Sequence, residues 1–291
     1  MFGRCLAFFS FFGIAVTSPV YARPVQPAPV CIKNDIVYGR AGGIDLLMDA
    51  ALPESKTAMP AVIIVHGGGW VRGNRRVEVR PLFQPLSEAG FAWFSIDYRF
   101  ATDMSQFGDA IDDVQTAVRY VKSHASEFNI NPNRLALVGE SAGGQLAAMA
   151  ALRGEEAASV KAVVAFYTPT DLVSLVKNSN YIPSEIRSSV IGTPWERLLL
   201  AGIATLSPLE NVRRDMPPFL LIHGTADPLV PFQQSTEMCD RMRKAGASCE
   251  VYPIEGAGHG ILWWSANERS AADARMVSWL EHELNKNSPT T

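Results

Sequence analysis

The sequence predicts a single α/β domain built on an eight-stranded, mostly parallel sheet with helices on both faces. Three observations predict it. Eight short apolar segments alternate, along most of the chain, with segments of helical periodicity. The apolar segments are continuous rather than alternating, as expected of strands covered on both sides. One junction between the two types is Gly139-Glu140-Ser141-Ala142-Gly143, a sharp strand-to-helix turn that would hold a serine hydroxyl exposed at the carboxyl end of a sheet.

Taken in order, the chain opens with Arg4 and an apolar run from Leu6 to Val16, then Val20-Tyr21-Ala22. This is the pattern of a secretory signal peptide cleaved after Ala22. The run falls well short of the ~20 residues that span a bilayer, so a membrane anchor is disfavoured. A secreted or periplasmic protein without stable membrane insertion is expected. Residues 23–33 are proline-rich and read as a leader; a catalytic domain is expected over 34–288.

Strands are expected at Ile36–Tyr38, Ile44–Ala50, Ala61–His66, Ala92–Asp97, Leu135–Val138, Ala162–Phe166, Phe219–His223 and Cys249–Pro253. Helices are expected at Arg80–Glu88, Asp109–Ser123, Ala142–Leu152, Gln233–Ala245 and Asn267–Asn285. Ser265 with Glu268 resembles a capping box before the last of these, and Met276, Leu280 and Leu284 share one face of it. Thr170 to Asp215 breaks the rhythm with prolines and short helical pieces, and is expected to form a cap-like insertion (170–215).

Composition narrows the partners. A net charge of -3 on 291 residues provides no basic surface for nucleic acid, and 47% hydrophobic with 19% charged residues is ordinary for a globular protein. No metal or organic cofactor is implied: there is no His-Glu-x-x-His and no clustered Cys/His set. Once Cys5 leaves with the signal peptide, Cys31, Cys239 and Cys249 remain. In an oxidising compartment Cys239, on a helix, and Cys249, at the start of the next strand, could form a disulfide; three buried thiols are the alternative.

A serine that attacks a carbonyl needs a base, a group to orient that base, and donors for the oxyanion. His259 is the candidate base, in the loop Gly256–Gly260 after the last strand. It follows both other candidates and lies in a loop, whereas His66 and His223 end strands and His124 and His282 fall on helices. Asp227, just after the strand Phe219–His223, is the candidate orienting acid; Asp171 and Asp215 are its rivals. Gly67 and Gly68 of His66-Gly67-Gly68-Gly69-Trp70, with the amide of Ala142, are the candidate oxyanion donors. Trp70, Tyr167 and Trp263 could line a substrate pocket, whereas Trp195 and Trp264 suit packing better.

The order His66–Trp70, Ile96–Phe100, Gly139–Gly144, His223–Pro231, Gly256–Gly260 resembles the α/β-hydrolase superfamily. More narrowly it is similar to the hormone-sensitive-lipase-like carboxylesterases and the bacterial feruloyl and acetyl esterases, from about Val37 to Trp279. The resemblance implies Ser141 as nucleophile, Asp227 as acid, His259 as base, and structural roles for Asp97 and Arg99. It implies a serine carboxylesterase; with the export that the signal-peptide pattern predicts, the expected substrates are external short-chain or aromatic (acetyl or feruloyl) esters, either small molecules or groups linked to polysaccharide. An amide hydrolase of formamidase type is the runner-up, and an inactive recognition module is disfavoured because no triad candidate is missing.

Overall fold

A computed structural model describes residues 29–101, 106–179, 187–188 and 190–286. The expected signal peptide (1–22) and most of the leader lie outside the described residues. The strands are β1 (Val30–Ala41), β2 (Ile44–Pro53), β3 (Met59–Val65), β4 (Ala92–Ile96), β5 (Ile130–Glu140), β6 (Ala162–Phe166), β7 (Phe219–Gly224) and β8 (Cys249–Ile254). They form one sheet in the order β1-β2-β4-β3-β5-β6-β7-β8. β1 and β2 are antiparallel, as are β2 and β4; from β4 across to β8 every pairing is parallel.

The helices are α1 (Phe83–Glu88), α2 (Phe107–Ser123), α3 (Ala142–Leu152), α4 (Leu172–Asn178), α5 (Glu196–Thr205), α6 (Gln233–Lys244) and α7 (Ala266–Asn285). The two faces of the sheet explain the continuous apolar strands. Ile63, Val65 and Leu137 point into one layer with α2, α3 and α6, while Val62, Ile64 and Val138 point into the other with α1 and α7. All eleven residues of α3 are buried, so this helix carries no polar stripe. No described helix is long and apolar enough to cross a membrane.

Two strands run longer than their apolar cores. β1 pairs with β2 across Gly42-Gly43, and its mostly solvent-facing residues include Lys33, Asn34 and Arg40. β5 begins at Ile130 and runs through Asn131, Pro132, Asn133 and Arg134 before its apolar core. In both, polar residues on a half-buried to exposed stretch carry strand geometry that apolar periodicity does not register. The capping box is present: Ser265 accepts from the Glu268 amide at 3.3 Å and Glu268 from the Ser265 amide at 2.5 Å. Such a cap contributes ~1 kcal/mol to the helix start.

Within 170–215, α4 and α5 share a separate small apolar cluster formed by Leu172, Leu175, Val190 and Ile203 with Val230. Trp264 is buried, as expected. Trp195 is not; it sits at the start of α5, 68% exposed, so its packing role is corrected to a surface one. Cys239 of α6 and Cys249 of β8 are joined in a disulfide with Cα atoms 5.2 Å apart, and Cys31 is free and exposed. A loop this short gives a bridge that stabilises by roughly 2–3 kcal/mol. Thiol titration of the denatured, unreduced chain cleaved after Ala22 should therefore find one free thiol; three would refute the bridge.

Candidate active site

The parallel pairing brings the ends of β3, β5, β7 and β8 to one edge of the sheet, where such folds place their ligands. Ser141 sits between β5 and α3 with φ 50° and ψ -121°, a conformation that costs a non-glycine residue ~1–3 kcal/mol. The flanking glycines make the turn possible. A Cβ on Gly139 would lie 2.4 Å from the Gly143 carbonyl oxygen, and one on Gly143 would lie 2.3 Å from those of His66 and Val65. The strained serine is held by its own amide, which donates to the Phe166 carbonyl at 2.9 Å.

His259 arrives from the loop after β8. Its Nε2 lies 2.9 Å from Ser141 Oγ, and its Nδ1 lies 2.7 Å from Asp227 Oδ2. Because a carboxylate only accepts, Nδ1 carries the hydrogen and Nε2 is left to accept from the serine hydroxyl. The other oxygen of Asp227 accepts from the amides of Leu229 (2.8 Å) and Val230 (3.0 Å). Burial pushes the Asp227 pKa up, but hydrogen bonds from His223, His259 and the Val230 amide, with the His259 charge, outweigh it. The net result is a carboxyl held well below its ordinary range, and so ionised beneath the imidazole.

A second histidine stands behind the acid. His223 is fully buried; its Nε2 lies 3.1 Å from Asp227 Oδ2 and 2.9 Å from the Val230 carbonyl, while Nδ1 lies 2.7 Å from Ser235 Oγ. Two acceptors at Nε2 require the hydrogen there, so His223 donates to Asp227 and accepts from Ser235. In the sequence His223 only ends a strand; here it keeps a backbone partner in Val230 and adds the link to Asp227 that the sequence does not show. Its position four residues before the acid was the available signal. His66 does keep to the backbone, with Nδ1 2.6 Å from the Gly67 carbonyl and its ring stacked on Tyr98.

The loop after β3 requires a correction. The Gly67 amide donates to Glu140 Oε1 at 3.4 Å, so it is turned towards a buried carboxylate rather than left free for an oxyanion. The amides of Gly68, Gly69 and Ala142 make no hydrogen bond to the described residues. Ala142 opens α3, where the first amides of a helix have no internal acceptor. Gly68 is a glycine by necessity: φ is 115°, and a Cβ would fall 2.0 Å from the Arg72 carbonyl oxygen.

A cavity of about 620 Å³ opens over Ser141 and His259, bounded by the glycine loop, Trp70, Leu175, Leu229 and Trp263. Trp263 is 85% exposed at its rim. The Trp70 indole donates to Gln145 Oε1 at 2.9 Å, which ties the ring to α3, and the ring meets Phe107 with centroids 5.2 Å apart. Tyr167 also borders the cavity, but it is 1% exposed and its hydroxyl donates to Glu140 while accepting from the Ile261 amide at 3.0 Å. Its ring meets His259 edge-on, centroids 4.7 Å apart, so it braces the histidine loop instead of offering its hydroxyl to a ligand.

The rival acids are elsewhere. Asp171 caps α4 by accepting from the Ser174 amide, and neither it nor Asp215 bonds to His259. Asp97 pairs with Arg75 beside the glycine loop, and Arg99 with Asp109 and Asp113, so both serve structure.

Residues 48–242 match the BD-FAE family. The chain belongs to the BD-FAE family of α/β-hydrolases. Residues 203–286 also match the TAP-like protein family. This BD-FAE chain is 32% identical over 225 residues to the probable carboxylic ester hydrolase LipM of Mycobacterium tuberculosis, covering 74% of this chain and 52% of that one. It is 32% identical over 266 residues to the esterase LipC of the same organism, covering 83% and 65%. The chain thus spans between half and two thirds of the length of these curated relatives. Among solved structures it resembles a truncated carbohydrate esterase from gut microbiota, with TM-score 0.75 and 27% identity over 90% of this chain and 99% of that one. Butyrate-bound esterase 2 of Thermogutta terrifontis gives TM-score 0.70 and 25% identity over 91% and 97%.

Proposed function

We propose that this BD-FAE chain is an exported serine esterase that hydrolyses short-chain or aromatic carboxylic esters, of acetyl or feruloyl type. One observation carries the reading: a strained serine hydroxyl 2.9 Å from an imidazole whose other nitrogen is held by an ionised, buried carboxylate. Ser141 Oγ attacks the ester carbonyl carbon as His259 Nε2 takes its proton. The amides of Gly68, Gly69 and Ala142 stabilise the oxyanion, and Gly67 is withdrawn from that role. The imidazolium returns the proton to the leaving alcohol as the C–O bond breaks. Water, deprotonated by the same nitrogen, then splits the acyl-serine and releases the acid.

The cavity volume of about 620 Å³ lies in the range of small-ligand sites, with room for a short acyl chain together with its alcohol group. Trp263, exposed at the rim, offers a flat apolar face to a feruloyl ring or a sugar. The likeness to a carbohydrate esterase supports esters borne on saccharides as substrates. The disulfide suits an oxidising compartment, as export requires.

Hydrolysis of p-nitrophenyl esters from acetate to long acyl chains, with methyl ferulate and an N-formyl amide, tests the reading. Turnover should be greatest among acetate, butyrate and ferulate. Folded protein that leaves every ester intact and cleaves the amide would replace the esterase with an amide hydrolase.

A further inference from the structure

Glu140 immediately precedes the proposed nucleophile, is 6% exposed, and has no part in the proton transfers described above. Its two oxygens are used on different elements. Oε1 accepts from the Gly67 amide of the glycine loop at 3.4 Å, and Oε2 accepts from the Tyr167 hydroxyl at the end of β6. Tyr167 continues the connection, because its hydroxyl accepts from the Ile261 amide, two residues beyond His259, and its ring lies edge-on to the imidazole. One buried carboxylate therefore ties the oxyanion loop, the nucleophile turn and the histidine loop together.

We infer that Glu140, in its ionised form, is a positioning residue for the proposed ester hydrolysis, setting the glycine loop through Gly67 and the His259 loop through Tyr167. The inference rests on the esterase reading above. An ionised carboxylate accepts from both donors at once and can use more than one lone pair on each oxygen. A protonated one must turn a hydrogen towards one of its two donors: on Oε1 it opposes the Gly67 amide and that contact is lost, and on Oε2 it reverses the bond to Tyr167, whose hydroxyl must then accept. The charge also lies near His259, where it favours the imidazolium formed in each half-reaction.

The surroundings make the charge state sensitive to pH near neutrality. Burial raises the Glu140 pKa to about 7, against hydrogen bonds from Tyr167 and Gly67 that lower it. The charged or titratable groups facing it are Glu78, which raises the value, and His259, which lowers it. Tyr98 and Tyr167 are themselves shifted upward, by burial first and then by its charge, and Arg72 borders the same cavity. For a carboxyl with a raised folded-state pKa, the native state binds the proton more tightly than the unfolded chain. Stability from this group is full below its ordinary range near 4.5 and is lost as pH rises through about 7.

Glu140→Gln keeps the shape and mimics the protonated acid, so its behaviour separates positioning from packing. At pH 8, kcat for p-nitrophenyl acetate should fall about ten- to a hundredfold, a general magnitude for a lost positioning contact, with KM within about twofold. The deficit should narrow towards pH 6, where wild-type Glu140 takes up its own proton. Tyr167→Phe should give a similar deficit at pH 8, and the double variant should lose less than the product of the two. Thermal unfolding supplies an arm independent of turnover: Glu140→Gln should raise Tm at pH 8 and leave it unchanged at pH 5. A deficit of constant size across pH, full multiplicativity with Tyr167→Phe, or equal Tm values at pH 8 would overturn the inference. Wild-type protein inert towards every ester would sink the esterase reading instead, with the unfolding arm still judging whether Glu140 carries a buried charge.

Discussion

Ser141→Ala should lower ester turnover by roughly 10⁶-fold, the scale of nucleophile removal in serine hydrolases, without unfolding the protein. The magnitude corresponds to about 8 kcal/mol of lost transition-state stabilisation. It is large because one atom carries the covalent step; His259, Asp227 and the free amides remain but have no nucleophile to serve. Alanine fits the turn at least as well sterically as serine, and the serine hydroxyl's hydrogen bond is to His259 alone among the described residues. KM for p-nitrophenyl acetate should stay within a few-fold in whatever residual activity is measurable. A variant retaining a tenth of the wild-type rate would remove Ser141 from the mechanism.

Asp227→Asn should lower kcat by about 10⁴-fold, as for loss of the orienting acid in a serine triad. The local geometry dictates how. Oδ1 is engaged by two backbone amides, so the asparagine oxygen is held there and its NH₂ group occupies the place of Oδ2. That group faces two imidazole N–H groups, from His223 and His259. Donor would meet donor at both. His259 escapes by taking the other tautomer, with hydrogen on Nε2, and can then no longer accept the serine proton. Activity equal to wild type would reject Asp227 as the orienting acid.

Much of this site was legible in the sequence because its chemistry is bound to local chain geometry. The turn around Ser141 needs glycine at 139 and 143 for lack of space, and both glycines are visible as letters. Asp227 and His259 follow β7 and β8, whose apolar runs mark where a parallel sheet ends. Three-dimensional pairings were not legible. Nothing in the letters shows that Gly67 spends its amide on Glu140, or that His223 donates to Asp227 across one turn of the chain. Tyr167 looks like a pocket aromatic until its hydroxyl is found between Glu140 and the Ile261 amide. Trp195 has the composition of a core residue, yet its exposure depends on how α5 lies, which no periodicity specifies.

The most direct test is covalent capture of the nucleophile by paraoxon. Attack by Ser141 Oγ forms an O–P bond and expels p-nitrophenolate, with the serine proton passing to His259. Peptide mapping of the wild-type protein should locate one diethylphosphoryl group on Ser141, and His259→Ala should react far more slowly. An unmodified chain, or an adduct on another residue with Ser141 intact, would contradict the catalytic role assigned to this serine.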